Sequence, residues 1–190
     1  MRDNIDTDLI VRIERIAQLK RGEFAPWAFE AWRYRPDATE NPDFVLNKEP
    51  FRRAGILISG ANFGCGSSRE MAVWALEEFG LRCIIAESYG DIFFNNCLQN
   101  GLLPITLDRA RIEALAKTAL SGSLVKVDLR TCTIATEATG DIDFAFPEMQ
   151  RQALLLGQDD IQQTLAIGQR IEAFQEQDRQ ARPWAYLAAR

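Results

Sequence analysis

Histidine is absent from this sequence of 190 residues, and its absence excludes several kinds of chemistry. The chain cannot form a Ser-His-Asp triad, a Cys-His pair or an H-E-x-x-H zinc site from its own residues. Any proton transfer must therefore use other side chains, or groups from another chain.

Cysteine is scarce, with four residues spread widely along the chain. Cys65, Cys83, Cys97 and Cys132 match neither a C-x-x-C metal clip nor the dense pattern of a small secreted protein. We expect reduced thiols, with Cys83 in the core of a strand and no metal bound by this chain. Cys65 leaves one alternative open, a reactive thiol at a helix N-terminus.

The sequence also lacks an excess of basic residues and any long apolar run. Its 22 Lys and Arg residues against 27 Asp and Glu residues give a net charge of −5, so no general basic field attracts nucleic acid or an anionic membrane. No apolar run reaches the roughly 18 residues that span a bilayer, and the first residues lack a signal-peptide core. We expect a cytoplasmic protein that binds acidic ligands at a local site.

What the sequence does contain is an alternation of strand and helix patterns from residue 55 onward. An apolar run between Gly55 and Gly60 predicts a buried strand, and apolar residues at helical spacing predict a helix over 70–79 that ends at Gly80. Strands over 82–86 and 102–107 and helices over 91–99 and 109–120 follow. The order β-α-β-α-β predicts a single α/β domain, with one long strand or two short ones over 124–136.

The C-terminal part has a different pattern. Ile161, Leu165, Ile171 and Phe174 place an apolar face on a helix that opens after Asp160. We therefore predict one domain over residues 1–190, with a core over about 1–150 and a helical C-terminal extension over about 151–190 that docks on the core or on a partner.

The most informative stretch joins the first strand to the helix over 70–79. Gly64 and Gly66 permit positive φ angles, so that successive N–H groups converge near a helix N-terminus. The Arg69 guanidinium adds a fork that matches a carboxylate or a phosphate. These features predict a site for a small anion. The alternative is an ordinary strand-to-helix turn in which Ser67 or Ser68 caps the helix.

At this point the sequence resembles a known family, the small subunits of isopropylmalate dehydratases, which are detached swivelling domains of the aconitase superfamily. The resemblance rests on five motifs in the same order, Asn4-Ile5-Asp6-Thr7-Asp8, Asn41-Pro42-Asp43-Phe44-Val45-Leu46-Asn47, Asn62-Phe63-Gly64-Cys65-Gly66-Ser67-Ser68-Arg69-Glu70, Asp91-Ile92-Phe93-Phe94-Asn95-Asn96-Cys97 and Gly101-Leu102-Leu103-Pro104.

The resemblance implies a β/β/α swivelling-domain fold and a separate large subunit that holds a [4Fe–4S] cluster, in a heterodimer or a heterotetramer. It also implies a hydro-lyase that isomerises 3-isopropylmalate to 2-isopropylmalate via isopropylmaleate, in leucine biosynthesis. The active site would form where the two chains meet. Ser67 would be the base that removes the carbon-bound proton, Arg69 would grip a substrate carboxylate, and Ser68 and Gly66 would bind the substrate.

The residues themselves are compatible with those roles. A serine alkoxide can act as a base only where preorganised N–H donors and a cation stabilise it in a site that excludes water. The turn over 66–69 offers both kinds of group. The Lewis acid that a departing hydroxide needs would come from the partner.

Two departures from the family pattern bear on function. Met71 stands where family members usually have histidine, so either that histidine is a packing group, which a methionine can replace, or the chemistry differs. The segment Val11 to Ile16 replaces a usual Ile-Pro sequence and brings Arg12 and Arg15, which are candidate specificity residues. Alternative substrates are therefore 2-methylmalate, dimethylmalate or homoaconitate-type acids.

Two further alternatives remain open from the residues. The chain could be a non-catalytic module that binds anions or RNA, although the negative net charge opposes RNA binding. Asp6 and Asp8 could hold a metal ion, although a capped, solvated turn is the simpler interpretation.

Overall fold

The computed structural model describes residues 1–136 and 140–186 and contains nine α-helices in this part of the chain. They are α1 (Thr7–Ile10), α2 (Ile13–Ile16), α3 (Glu30–Arg33), α4 (Glu70–Phe79), α5 (Asp91–Gln99), α6 (Arg109–Leu120), α7 (Glu148–Leu156), α8 (Asp160–Ala166) and α9 (Gly168–Ala181). Single 3-10 turns lie at Ala25–Trp27, Val45–Asn47, Phe51–Arg53 and Pro183–Ala185.

The strands form two separate three-stranded sheets. The first is parallel, in the order β1-β2-β3, and consists of β1 (Ile56–Ile58), β2 (Cys83–Ala86) and β3 (Leu103–Thr106). The second is an antiparallel meander of β4 (Val125–Asp128), β5 (Thr133–Thr136) and β6 (Gly140–Asp143).

Alternation along β2 separates two apolar cores, because successive side chains of a strand point to opposite faces. Ile84 belongs to the cluster that α4 and the first 46 residues form on one face of the parallel sheet. Ile85 belongs to the cluster on the other face, where α6 and the second sheet contribute residues such as Ile112 and Ile134. A parallel sheet needs both faces covered, and this layering covers them.

The predicted α/β fold is confirmed, and the helices over 70–79, 91–99 and 109–120 have the bounds that the sequence predicted. Residues 124–136 form two strands, β4 and β5, rather than one. The sequence did not reveal β6 or α7. The prediction of a single helix after Asp160 was wrong, because the backbone breaks at Ile167 between α8 and α9.

The C-terminal helices lie at the surface. No described residue of α7, α8 or α9 is fully buried. Residues 187–190 of the predicted extension lie outside the described residues. Among the helices described, none is long and apolar enough to cross a membrane.

Candidate active site

The loop that joins β1 to α4 is anchored on both sides before it reaches the predicted anion site. Phe63 is fully buried, and its ring contacts the rings of Tyr89 and Phe93. Its backbone N–H donates to the Ser88 carbonyl at 2.9 Å, and its carbonyl accepts from the Gly90 N–H at 2.9 Å. The loop therefore leaves the parallel sheet from a fixed point.

Two glycines then turn the loop, as the sequence predicted. Gly64 has φ +70°, and a Cβ atom there would lie 2.1 Å from a ring carbon of Phe93, so no side chain fits. Gly66 has φ +93°, in the left-handed region that favours glycine. The backbone bends at these two glycines, and Ser67, which follows Gly66, lies exposed at the surface.

The N-terminal motif over residues 4–8 packs beside this turn. Asp6 caps α1 by accepting the Leu9 N–H at 2.8 Å, which confirms the capped turn. The Thr7 N–H donates to the Cys65 carbonyl at 2.9 Å, and the buried Thr7 hydroxyl donates to the Ser67 carbonyl at 3.1 Å. Residues 60 positions apart in sequence therefore hold the turn in place.

Ser67 and Ser68 do not cap α4, so the capping alternative was wrong. Arg69 is the N-cap residue, and no side chain accepts a hydrogen bond from the first turn of this helix. Within residues 1–136 and 140–186, the Ser67 hydroxyl has no hydrogen-bond partner, and the N–H groups of Ser67 and Ser68 have no acceptor. The turn thus presents an unengaged hydroxyl and free N–H donors to the outside.

Arg69 is engaged in an ion pair that the sequence did not predict. Its side chain is 13% exposed, and its Nη1 contacts the carboxylate of Asp8, whose side chain is 55% exposed. An arginine fork can bind a carboxylate through two N–H groups, and Asp8 contacts only one nitrogen. Asp8 therefore holds the guanidinium beside the turn. The one sequence signal for Asp8 was that it lies in the first of the five family motifs.

Met71 packs where the resemblance implies a histidine. Its side chain is half-buried against the apolar cluster of α4. The same helix is tied to the next one by Asn100, whose side-chain amide donates to the Glu70 carboxylate at 3.0 Å and whose oxygen accepts the Trp74 indole N–H at 3.0 Å. The sequence did not predict this bridge.

Cys65 lies in the turn as a half-buried residue. Partial burial raises the pKa of its thiol, and the nearby Asp6 carboxylate raises this pKa further. A raised pKa lowers the thiolate fraction at neutral pH, so the geometry opposes a reactive thiol here. Cys83 is buried in β2, as predicted, and burial raises its pKa to about 12.

The two candidate specificity arginines have different surroundings. The Arg15 guanidinium binds both carboxylate oxygens of Glu30, at 2.6 and 3.1 Å, and lies 3.4 Å from the ring centre of Trp27. Arg12 is half-exposed and pairs only loosely with Glu14, at 3.7 Å. Both arginines line a shallow cavity of about 210 Å³ beside Glu30. Arg12 is therefore the freer of the two cations.

No metal centre is evident in the part of the chain that the structure describes. It contains no group of three or more His, Cys, Asp or Glu side chains placed to hold an ion, and the four cysteines are free and separate. These residues do not fit an iron–sulfur cluster, which needs several thiolate ligands close together.

Comparison with known proteins identifies the family. Residues 1–110 match the aconitase C-terminal domain family. The 3-isopropylmalate dehydratase small subunit of Rhizobium etli is 45% identical over 184 residues, which cover 96% of this chain and 91% of that protein. The small subunit from Rhodospirillum rubrum is 45% identical over 187 residues, which cover 97% and 90%.

A solved structure supports the same fold. The crystal structure of 3-isopropylmalate dehydratase from Methanocaldococcus jannaschii superposes with a TM-score of 0.62, at 24% identity and over 93% of each chain. Fold and sequence similarity agree, and the chain belongs to the aconitase C-terminal domain family, among the small subunits of 3-isopropylmalate dehydratase.

Proposed function

We propose that this chain is the small subunit of a hydro-lyase that interconverts 3-isopropylmalate and 2-isopropylmalate through isopropylmaleate, as a step of leucine biosynthesis in the cytoplasm. The observation that carries the proposal is the exposed turn over 66–69, with its unengaged Ser67 hydroxyl, free N–H groups and adjacent guanidinium. Relatives at 45% identity carry the name of that dehydratase subunit.

In this proposal the turn acts on one carboxylate and one proton of the substrate. Arg69 binds the carboxylate, with Ser68 and the Gly66 region as hydrogen-bonding neighbours. Ser67 takes the proton from the carbon beside the carboxylate. The free N–H groups and the helix N-terminus lower the energy of the serine alkoxide, because positive partial charge stabilises an anion.

The exposure of the turn supports a site that is completed by a second chain. A base of this kind needs a water-excluding site, and Ser67 lies open at the surface of the isolated subunit. We propose that a large subunit covers the turn and holds the [4Fe–4S] cluster, for which this chain offers no ligand set in its described residues.

The test is a reconstitution with the large subunit under anaerobic conditions, following the alkene absorbance of isopropylmaleate. We expect Ser67→Ala to lower kcat by about 10²- to 10⁴-fold, the range for loss of a general base. Its melting temperature should not change, because the hydroxyl has no partner among the described residues. Ser123→Ala, in the turn after α6, is the matched control. Unchanged turnover in Ser67→Ala would disprove the assigned base.

A related substrate is the second candidate, and the half-exposed Arg12 favours it. A loosely paired cation in the segment that follows α1 would suit a smaller or more polar side group than isopropyl, as in 2-methylmalate or dimethylmalate. The ratio of kcat/KM for 3-isopropylmalate to that for 2-methylmalate, measured with the wild type and Arg12→Ala, decides between them. A ratio above one in the wild type would favour the isopropyl substrate. The same ratio in Arg12→Ala as in the wild type would remove Arg12 from the specificity segment.

A further inference from the structure

The C-terminal helices present an apolar face that nothing in the described chain covers. We call α8 and α9, residues 160–181, the C-terminal arm. Ile161, Leu165 and Phe174 are 70%, 72% and 61% exposed. Ile167, the N-cap residue of α9, and Ile171 and Phe174 within the helix follow the spacing i, i+4, i+7, which places them along one side of the helix.

Helices of this length need a surface to pack against. Isolated helices shorter than about 12 to 15 residues are marginal in water, and most helical stability in proteins comes from packing an amphipathic face. The arm consists of helices of 7 and 14 residues, without one fully buried residue among those described. An apolar face that is exposed in a soluble chain indicates an interaction site.

The same chain carries a groove that lacks an occupant. A cavity of about 540 Å³ lies along β1, and we call it the β1 groove. Its lining includes the three strand residues Ile56, Leu57 and Ile58, all only half-buried, together with Ala116, Ala119 and Leu120 of α6. Trp32, Phe44 and Val45 add further apolar surface. No arm residue is among the lining residues.

The backbone of β1 also needs cover. Among the strands that the structure describes, β1 is an edge strand that pairs only with β2. The Gly55 carbonyl accepts the Cys83 N–H of β2 at 3.1 Å, and the Ser59 N–H donates to the Ile85 carbonyl of β2 at 2.9 Å. Successive residues of a strand direct their backbone groups to opposite sides, so those of Ile56 and Ile58 face the open edge. Proteins commonly protect such an edge by laying a helix or a loop over it.

Charges at the groove and on the arm are complementary. Arg2 and Asp43 line the groove, and neither forms an ion pair within the described ranges. On the arm, Arg170 and Glu172 flank Ile171, and they too have no ion-pair partner in the described part of the chain. At about 100° per residue, Arg170 borders the apolar stripe of α9, whereas Glu172 lies on the side away from it. The arm therefore offers the Arg170 guanidinium to the Asp43 carboxylate of the groove.

We propose that the C-terminal arm of one copy packs its apolar face into the β1 groove of a second copy, and that two copies exchange arms reciprocally. One chain supplies both the convex and the concave surface, so two copies cover both at once and the assembly closes as a symmetric dimer. The groove does not include residues 66–69, so the dimer leaves the predicted active-site turn free. The dimer does not depend on the proposed function.

The test begins with sedimentation velocity of the full chain at micromolar concentration. We expect a species of twice the 21.5 kDa chain mass. Leu120→Asp in the groove and Leu165→Asp with Phe174→Asp in the arm should each weaken dimerisation at least tenfold. All three residues are exposed, so the monomers should keep the wild-type circular dichroism and melting temperature. Leu124→Asp, at a residue that is 83% exposed and outside both surfaces, is the matched control and should remain dimeric.

A cross-link identifies which chain supplies the arm. A tagged chain with Phe174→Cys, mixed with an untagged chain with Leu120→Cys, should form a disulfide between the two chains. A monomeric wild type, or a dimer that survives both sets of substitutions, would overturn the proposal. So would a cross-link that forms only within a single chain carrying both cysteines, because the arm would then cover its own groove. Dissociation of the dimer by the large subunit, with protection of the arm, would assign these surfaces to that subunit instead.

Discussion

Asp8 fixes the position of the guanidinium that the proposed function assigns to a substrate carboxylate. The ion pair is partly exposed, and such pairs contribute about 0.2–1 kcal/mol. Asp8→Asn should leave Arg69 less well oriented. We expect a fall in kcat/KM of about 3- to 10-fold, mainly through a higher KM, because Arg69 binds the ground state as well as the transition state.

The measurement is steady-state kinetics of the reconstituted enzyme, with Asp141→Asn on the exposed face of β6 as the control. A fall in KM for Asp8→Asn would contradict the orienting role, since it would show that Asp8 competes with the substrate for Arg69.

Met71 allows a second test at the scale of one residue. Because its side chain packs on the apolar cluster of α4, we expect the usual family histidine at this position to be a packing group. Met71→His should change kcat by less than about threefold and lower the melting temperature, since burying an imidazole without a partner costs free energy. Kinetics and thermal melts measure both. A gain in kcat above about tenfold would show instead that a lost proton carrier had been restored.

Cys65 should behave as a structural thiol. Its raised pKa means that less thiolate is present at a given pH than in an ordinary cysteine, and the thiolate is the nucleophile. Iodoacetamide should therefore alkylate Cys65 more slowly than it alkylates glutathione between about pH 7 and pH 8.5, as followed by mass spectrometry. Cys65→Ala should keep the activity. Faster labelling of Cys65 than of glutathione would revive the reactive thiol.

At the scale of elements, local patterns were predictable and distant contacts were not. The helix α4 follows from its apolar spacing and from Gly80, which adopts φ +114° at the C-cap. The break between α8 and α9 has a weaker local signal, Gly168 directly after Ile167. A single glycine is also tolerated within a helix, and the apolar spacing that continues across it favoured one helix. The hydrogen bond from the Thr7 hydroxyl to the Ser67 carbonyl joins residues 60 positions apart. No pattern within a single sequence predicts such a pairing.

The pairing of α2 with α3 gives stability that depends on pH. The hydrogen bond from Arg15 lowers the pKa of Glu30, and the two side chains are 28% and 15% exposed. A depressed carboxyl pKa contributes stability above its ordinary value, near pH 4.3, and that stability is lost as the pH falls through the lowered pKa.

We expect Glu30→Gln to destabilise the fold by about 1 kcal/mol at pH 7 and by progressively less as the pH falls below about 4. Denaturant titrations of both proteins across this range measure the difference. Glu14→Gln, which removes the loose 3.7 Å contact, is the control and should stay within about 0.5 kcal/mol of wild type. A difference for Glu30→Gln that is constant with pH would assign its effect to packing.

At the scale of the whole molecule, the layered fold presents the proposed active-site turn on a surface without providing what surrounds it. The parallel sheet, its two covered faces and the turn after β1 are properties of this chain. The water-excluding cover and the cluster are expected on a second chain, so the isolated subunit should be inactive. The family resemblance implied this division. The composition alone, without histidine, showed only that groups were missing.

Because the cluster is expected on the large subunit, oxidation should inactivate that subunit and leave the small subunit active. The holoenzyme is treated with oxygen and a chelator, and its subunits are then separated. The recovered small subunit should restore at least about nine-tenths of the activity when it is mixed with fresh large subunit. The recovered large subunit should give no activity with fresh small subunit. The described residues of this chain include no group of side chains that could bind a metal ion. Cys83 and Cys97 should also resist oxidation, because burial raises the pKa of both thiols and the thiolate is the reactive form. Ser67→Ala as the fresh small subunit is the negative control. If the treated small subunit fails with fresh large subunit while keeping its melting temperature, an oxygen-sensitive group lies on this chain. Cys65→Ala, treated in the same way, then separates oxidation of the half-buried Cys65 thiol from loss of a cluster, and only its failure as well would assign the cluster to this chain.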